Sequence, residues 1–244
     1  MEETMKKLFA AIVVIAILSL TVHAQSVDEV VANYLKAIGA DSLKAVNSME
    51  AKAKMVDNRG IEMQMTIWLK RPNLVKTEIL VGPQKVEQAY DGKTAWAIAP
   101  QMGSLDPMVL PETQASQVKD TFEMIEDPLM DYKGKGHTIE LLGKEEVDGK
   151  TYYKLKLIKK GSRESTMYID AKNFLLHKIS LMQKGGGMEF PMDLIFDDYR
   201  DVSGAKLCYK VSAVMNGQNA WTMTFEYLKT NVDIDDSIFQ MPKK

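Results

Sequence analysis

The segment Ile61–Lys70, IEMQMTIWLK, alternates between apolar and more polar side chains along its whole length. Its apolar positions are Ile61, Met63, Met65, Ile67 and Leu69. A repeat of two residues is that of a β-strand, whose successive side chains point to opposite faces of a sheet. The segment therefore predicts a strand with one buried face and one wetter face.

The same alternation recurs along most of the chain that follows. It is found in Tyr153–Leu157, Met188–Asp197, Leu207–Met215 and Trp221–Tyr227. The pairs Asp91-Gly92 and Asp148-Gly149, which lie between such runs, are typical of β-hairpin turns. Strands joined by hairpins form an antiparallel meander. About eleven or twelve strands with one apolar face must curl or pack against another layer, so we expect a mainly β protein with a few helices.

Two regions predict helices. Ser26 and Glu29 form a capping box, apolar residues at helical spacing follow, and Gly39 ends the helix; a second short helix is expected at Asp41–Val46. Pro111–Met130 then interrupts the meander with one apolar stripe, formed by Val118, Phe122, Ile125 and Leu129. A helix inserted there would be either a fixed plug that completes the core or a movable lid over a cavity.

The N-terminus predicts an export signal. Lys6 and Lys7 precede the apolar run Leu8–Leu20, and small residues favour cleavage between Ala24 and Gln25. The run is short for a membrane span, although an uncleaved anchor is the alternative. We expect residues 1–24 to be removed and residues 25–244 to form a single periplasmic domain with no stable membrane span.

The composition narrows the classes of function. A formal net charge of -2 provides no electrostatic basis for binding nucleic acid. Cys208 is the only cysteine, so no disulfide forms within the chain. The 17 methionines either fill an ordinary core or provide a surface that adapts to a varied apolar ligand.

The sequence contains no enzyme motif. His137 and His177 are not in an H-E-x-x-H pair, and no G-x-S-x-G elbow is present. Asp197–Asp201 lacks the loop pattern of a known calcium site and is expected to be a solvated turn. We therefore expect no catalytic residue, metal or cofactor. A carboxylate pair for glycoside cleavage stays open, because its separation is spatial.

Two motifs resemble a known family. Trp68–Leu74, WLKRPNL, and Tyr90–Trp96, YDGKTAW, are similar to the periplasmic lipoprotein carriers of the LolA-like superfamily, which includes LolA, LolB and RseB. The resemblance implies an α+β fold: an antiparallel meander curled into a half-open β-barrel, covered on its concave face by an N-terminal helix and a helical lid at about residues 108–133. It also implies that Arg71 latches the lid by hydrogen bonding to lid backbone. Val75, Lys76 and Thr77 stand where the family has aromatic residues. The resemblance therefore leaves open a cargo that differs from that of the carriers.

The apolar face and the helical stripe together predict a hydrophobic ligand cavity. Its expected lining is Met63, Met65, Ile67, Leu69, Trp96, Val118, Phe122, Ile125, Tyr153, Leu155, Leu157, Trp221, Met223 and Phe225. An acyl chain of about 13 methylenes would gain roughly 10 kcal/mol on leaving water. Ordering costs subtract several kcal/mol from that gain, so an apolar groove is sufficient for useful affinity.

Three functions follow from these predictions. The first is a periplasmic carrier that binds the acyl chains of lipoproteins, or another lipid, for transport towards the outer membrane. Its expected partners are the acylated cargo, inner-membrane export machinery and an outer-membrane acceptor. The second is a sensor or regulatory binding module of the cell envelope with the same fold. The third is an envelope hydrolase, which needs a carboxylate pair facing one cleft.

Overall fold

A computed structural model describes residues 25–100, 103–161, 163–185 and 188–243. The predicted export signal, residues 1–24, lies outside the described residues. The helices are α1 (Val27–Ala37), α2 (Ala40–Lys44) and α3 (Glu112–Asp120), and two 3-10 turns span Thr121–Met124 and Asp236–Phe239. The strands are β1 (Ser48–Asp57), β2 (Glu62–Lys70), β3 (Leu74–Val81), β4 (Gln84–Tyr90), β5 (Ala95–Ala99), β6 (Ser104–Val109), β7 (Thr138–Val147), β8 (Lys150–Lys159), β9 (Arg163–Asp170), β10 (Leu176–Gly185), β11 (Met188–Val202), β12 (Ala205–Met215) and β13 (Gln218–Thr230).

The described strands form one 13-stranded sheet in the order β6-β5-β4-β3-β2-β1-β13-β12-β11-β10-β9-β8-β7. Neighbouring strands are antiparallel, and the first strand pairs with the last. The strands β6 and β7 are the two edges, so the sheet curls into a half-open barrel that is not closed. The predicted meander and α+β class are confirmed. The strand β6 tolerates Pro107 because an edge strand needs hydrogen bonds on one side only.

The hairpin turns follow from their residue types. Asp148 and Gly149 adopt φ angles of 52° and 73° between β7 and β8, as a two-residue hairpin turn requires. In the turn after β4, the Asp91 carboxylate accepts hydrogen bonds from the backbone N–H groups of Lys93 and Thr94, at 2.9 and 2.6 Å. A Cβ atom at Gly92 would lie 3.2 Å from the Asn73 side-chain oxygen. The two motifs that suggested the fold therefore pack against each other.

The N-terminal helix forms as expected. The Ser26 N–H donates to the Glu29 carboxylate at 2.8 Å, and the Glu29 N–H donates to the Ser26 hydroxyl at 3.2 Å, which completes the capping box. Gly39 follows the helix with a φ of 68°. A Cβ atom there would lie 2.2 Å from the Gly204 carbonyl oxygen, so the β11–β12 hairpin can approach the helix end only at a glycine.

The helix predicted over Pro111–Met130 is shorter than expected. The α-helix ends at Asp120, one 3-10 turn follows, and irregular turns continue to β7. Pro128 explains part of the difference, because a proline removes a helical hydrogen bond and crowds the preceding turn. Met108 and Val109 belong to β6. We therefore call residues 110–137, which connect the two sheet edges, the lid segment.

The expectation for Asp197–Asp201 is wrong. These residues lie within the long strand β11 rather than in a turn. Asp198 has a φ of 54°, and its carboxylate accepts hydrogen bonds from the Arg200 guanidinium at 2.6 and 3.0 Å. Within the described residues, no group of three or more metal-ligating side chains is close enough together to hold a metal ion.

The hydrophobic core lies between the concave face of the sheet and the helices that cover it. Val30 and Tyr34 of α1 and Ile125 of the lid segment are buried there against strand residues such as Leu69 and Leu155. In the part of the chain that the structure describes, no helix has the length and apolar character needed to cross a bilayer.

Replacing Leu155 by alanine tests this arrangement of the core. Leu155 has an exposed fraction of 0%, so Leu155→Ala should lower the free energy of unfolding by about 2–5 kcal/mol. Leu142→Ala is the matched control in the neighbouring strand: Leu142 is 45% exposed, and we expect a change within about 0.5 kcal/mol. Urea unfolding measures both, and equal losses would contradict the assigned faces.

Candidate functional site: a lidded apolar cavity

A cavity of about 590 Å³ lies between the lid segment and the concave face of the sheet. Ligand pockets have volumes of roughly 300–1,000 Å³, so its size is that of a site for a small molecule or an acyl chain. The strands that border it are β1 to β4 on one side and β10 to β13 on the other, with α1 and α2 at one end. The cavity therefore occupies the part of the sheet where the first and last strands meet.

The walls of the cavity are mainly apolar. The apolar lining residues of the strands are Met49, Met55, Met65, Ile67, Ile79, Leu176, Leu194, Phe196, Leu207, Val211, Trp221, Met223, Phe225 and Leu228. Val118 and Met124 of the lid segment and Ile38 and Leu43 of the two N-terminal helices complete them. Five of these residues are methionines, whose flexible side chains adapt to an apolar ligand without a fixed shape.

Six of the predicted cavity residues line this void: Met65, Ile67, Val118, Trp221, Met223 and Phe225. Six others lie in the packed core: Leu69, Phe122, Ile125, Tyr153, Leu155 and Leu157. The strand residues Leu69, Tyr153, Leu155 and Leu157 are on the concave face, where the lid segment and α1 fill the space in front of them. Phe122 and Ile125 belong to the lid segment itself. Met63 is half-buried near the β1–β2 turn, opposite Met55, and does not border the cavity.

Trp96 is on the other face of the sheet, and its prediction as a cavity residue is wrong. The register pairs Trp68 with Lys76, Lys76 with Ala89 and Ala89 with Trp96. These four residues therefore share the outer face, opposite Leu69 and Ile67. Trp96 is buried there, and its indole N–H donates to the Phe239 carbonyl of the C-terminal 3-10 turn at 2.8 Å.

Sequence reasoning missed the polar part of the lining. Thr77, Gln88, Gln117, Asp120, Thr121, Glu123, Asp127, Tyr199, Lys206 and Cys208 also border the cavity, and so does Tyr34 of α1. Tyr34 belongs to the apolar stripe of α1, which could have revealed it. The polar residues Glu123 and Asp127 of the lid segment carry no such signal, because their positions depend on the turns after α3.

Arg71 connects the end of β2 to the lid segment. Its Nη2 donates to the Ile125 carbonyl at 2.9 Å, its Nη1 binds the Glu126 carboxylate, and its Nε donates to the Val46 carbonyl at 2.8 Å. The guanidinium also lies 5.9 Å from the centre of the Phe122 ring. The geometry required of a latch, a hydrogen bond to lid backbone, is therefore present in this structure.

Three carboxyls of the lid segment, those of Glu123, Glu126 and Asp127, lie in different electrostatic environments. Burial raises the pKa of Asp127, although its carboxylate accepts hydrogen bonds from the Tyr34 hydroxyl at 2.5 Å and the Leu129 N–H at 2.8 Å. Burial also raises the pKa of Glu123, which pairs with Lys159 of β8. Burial acts in the same direction on Glu126, but hydrogen bonds from Arg71 and Lys135 outweigh it and lower the pKa of this carboxyl.

The nucleophile and base candidates are in unreactive settings. Burial raises the pKa of Cys208 to about 11, so its thiol is protonated at neutral pH and is a poor nucleophile. His177 stacks on Tyr152 with ring centres 4.8 Å apart. Neither His177 nor His137 borders the cavity.

Three solved structures share this architecture over nearly their whole length. A LolA superfamily protein from Nitrosomonas europaea has a TM-score of 0.58 at 15% identity, over 86% of this chain and 97% of its own. The chain has the LolA-like fold. A DUF1329 family protein from Desulfovibrio piger matches with a TM-score of 0.57 at 16% identity, over 86% and 97%. A domain named for outer-membrane lipoprotein sorting, from Vibrio parahaemolyticus, matches with a TM-score of 0.57 at 11% identity, over 86% and 95%.

The LolA-like fold expected from the two motifs is thus confirmed. No protein-family model matches the sequence, and the comparison with curated proteins finds no match. At these identities the likeness concerns the fold alone.

Replacing Arg71 by leucine tests how the lid segment is held on the LolA-like sheet. The change removes three hydrogen bonds and leaves Glu126 half-buried beside an apolar side chain. We expect the free energy of unfolding to fall by about 1–3 kcal/mol and hydrogen exchange of the lid backbone around Ile125 to accelerate. Arg59→Leu is the matched control, since Arg59 is 73% exposed and forms a surface ion pair worth about 0–1 kcal/mol. Unchanged exchange in the lid segment would contradict the assigned contact.

The pH dependence of stability tests the environments of two adjacent lid carboxyls. The lowered pKa of Glu126 means that its stabilising contribution is present above ordinary carboxyl values and is lost as pH falls through the folded-state pKa. The raised pKa of Asp127 gives the opposite sign, so its contribution is present at low pH and is lost as pH rises. Denaturant unfolding between about pH 3 and pH 7 measures both effects. Glu126→Gln should lower the free energy of unfolding more near pH 7, and Asp127→Asn should lower it more near pH 3. Parallel trends would refute the assignment.

Proposed function

We propose that this protein is a periplasmic, non-enzymatic carrier that holds the acyl chains of a lipoprotein, or another lipid, in its lidded cavity. The observation that carries the proposal is the apolar void of about 590 Å³ between the lid segment and the concave face of the sheet. In this proposal residues 1–24 are removed on export, and residues 25–244 form one ligand-binding domain.

The energetics of the cavity support an acyl ligand. A chain of about 13 methylenes gains roughly 10 kcal/mol on leaving water, at about 0.8 kcal/mol each. Several kcal/mol are lost in ordering the chain and the protein. The remainder is sufficient for binding in the micromolar range or tighter, with no reactive group involved.

The contacts of Arg71 support controlled entry and release. A ligand that fills the cavity lies beneath Val118 and Met124 of the lid segment. Lifting this segment separates the Arg71 guanidinium from the Ile125 carbonyl and the Glu126 carboxylate. Both sides of this contact then regain hydrogen bonds to water, which keeps the cost of opening moderate. We infer that the cargo comes from inner-membrane export machinery and passes to an outer-membrane acceptor.

A hydrolase is less well supported, although carboxyls of the lid segment border the cavity. Asp127 is buried, and both of its carboxylate oxygens already accept hydrogen bonds, from the Tyr34 hydroxyl and the Leu129 N–H. Glu123 is paired with Lys159. The surrounding walls are made of methionine, leucine and aromatic side chains, which suit an acyl chain better than a sugar.

Lipid binding is tested directly on protein extracted gently from the periplasm. Native mass spectrometry should find co-purifying lipid, and an acylated peptide should displace a hydrophobic dye, whereas the same peptide without its acyl chain should not. Arg71→Leu should change the rate of dye or lipid release by about tenfold or more, because a contact worth about 1.4 kcal/mol is lost from the closed state. Arg59→Leu should release at the parent rate.

The alternative functions predict other results. A stable complex with a membrane-anchored signalling protein in an envelope pull-down, together with absence of bound lipid, would favour the sensor. Failure of acylated peptide to compete with the dye would remove the carrier proposal.

A further inference from the structure

The charges that border the cavity are unevenly distributed. Asp120, Glu123 and Asp127 of the lid segment line it. Among the described residues, Lys206, which follows the β11–β12 turn, is the one basic residue in this lining. Lys206 is exposed, and its backbone N–H donates to the Ile38 carbonyl at 2.9 Å. The carboxyl groups of Glu123 and Asp127, by contrast, are in the shielded part of the lid segment.

The other cations near the lid segment lie behind the carboxylates rather than on the cavity wall. Lys159 binds Glu123, and Arg71 binds Glu126 and the Ile125 carbonyl. Lys135 lies 3.0 Å from the Glu126 carboxylate, and its Nζ donates to the Asp127 carbonyl at 2.9 Å. None of these three cations borders the cavity. Lys206 apart, an incoming anion would therefore meet carboxylates on the cavity wall before it met a cation.

The hydrogen-bonding groups on the wall are also biased. Tyr34 donates its hydroxyl proton to Asp127, and Tyr199 donates its proton to the Leu176 carbonyl at 2.8 Å. The lone pairs that remain on these oxygens and on the Asp127 carboxylate can accept further hydrogen bonds. Thr77, Gln88 and Gln117 add hydroxyl and amide groups that suit an uncharged ester, amide or alcohol.

We propose that the cavity selects acyl chains whose polar end is an ester, an amide, an alcohol or an amine, and discriminates against free fatty-acid carboxylates. The inference rests on the proposed lipid-binding function and specifies the chemistry of its ligand. Two like charges within about 10 Å in a protein interior repel each other strongly enough to change affinity by about tenfold. A ligand with an uncharged end avoids this repulsion, and an amine gains from the same carboxylates.

Three ligands that share a twelve-carbon chain test the selection. Dodecanol, dodecylamine and dodecanoate compete with a bound hydrophobic dye at neutral pH, each below the concentration at which it forms micelles. We expect dodecanoate to bind about tenfold or more weakly than dodecanol, and dodecylamine to bind at least as tightly as dodecanol. Equal affinity for dodecanoate and dodecanol would overturn the inference while leaving lipid binding intact. Failure of all three ligands to displace the dye would instead count against the proposed function.

Two variants locate the source of the discrimination. Glu123→Gln and Asp127→Asn each keep the size of the side chain and remove its charge, so each should strengthen dodecanoate binding severalfold relative to dodecanol binding. Glu226→Gln removes a carboxylate that pairs with Lys52 at 3.1 Å on the outer face, and should change neither affinity. Circular dichroism checks that each variant is folded, and Glu123→Gln decides the test if Asp127→Asn is not. An unchanged dodecanoate affinity in a folded Glu123→Gln protein would contradict the assignment.

Discussion

An open sheet with one apolar face has to be covered by other parts of the chain, and this constraint organises the molecule. The sheet ends at β6 and β7, which do not pair with each other, so hydrogen bonding does not close it. The lid segment leaves one edge and returns at the other, and it therefore crosses the opening. The helix α1 covers a further part of the same face, and Val30 and Tyr34 are buried there.

The contacts that hold the lid segment are partly ionic, and this affects how it can open. Glu123 binds Lys159, Glu126 binds Arg71, and Asp127 accepts a hydrogen bond from Tyr34. Charges withdrawn from water lose hydration, and their attraction to a partner only partly offsets that loss. Separation of the lid segment from the sheet would let water solvate both members of each pair again. An apolar contact of the same area has no such compensation, so ionic contacts allow a cover that is both specific and separable.

Sequence periodicity predicted the strands and the concave face, and the Ser26–Glu29 motif predicted the capping box. Each of these features depends on residues that are close together in the chain. Periodicity predicted Met65 and Ile67, which border the void, on the same face as Leu155, which is packed, and it could not separate the two kinds of position. That distinction depends on where the lid segment and α1 fill the space. Trp96 was assigned to the wrong face because its position follows from register across four strands. The polar wall was missed in part because Asp127 lies in the irregular stretch between the 3-10 turn and Pro128.

The lid segment joins the packed part of the core to the empty part. Phe122 and Ile125 are buried in the packed core, whereas Val118 and Met124 face the cavity. Arg71 binds the Ile125 carbonyl, at the boundary between the two parts. The residues that Arg71 binds, Ile125 and Glu126, therefore lie between Met124 and Asp127, which both border the cavity. Because Leu155 and its neighbours are fully packed, the methionine-rich wall can leave a void without loss of the fold.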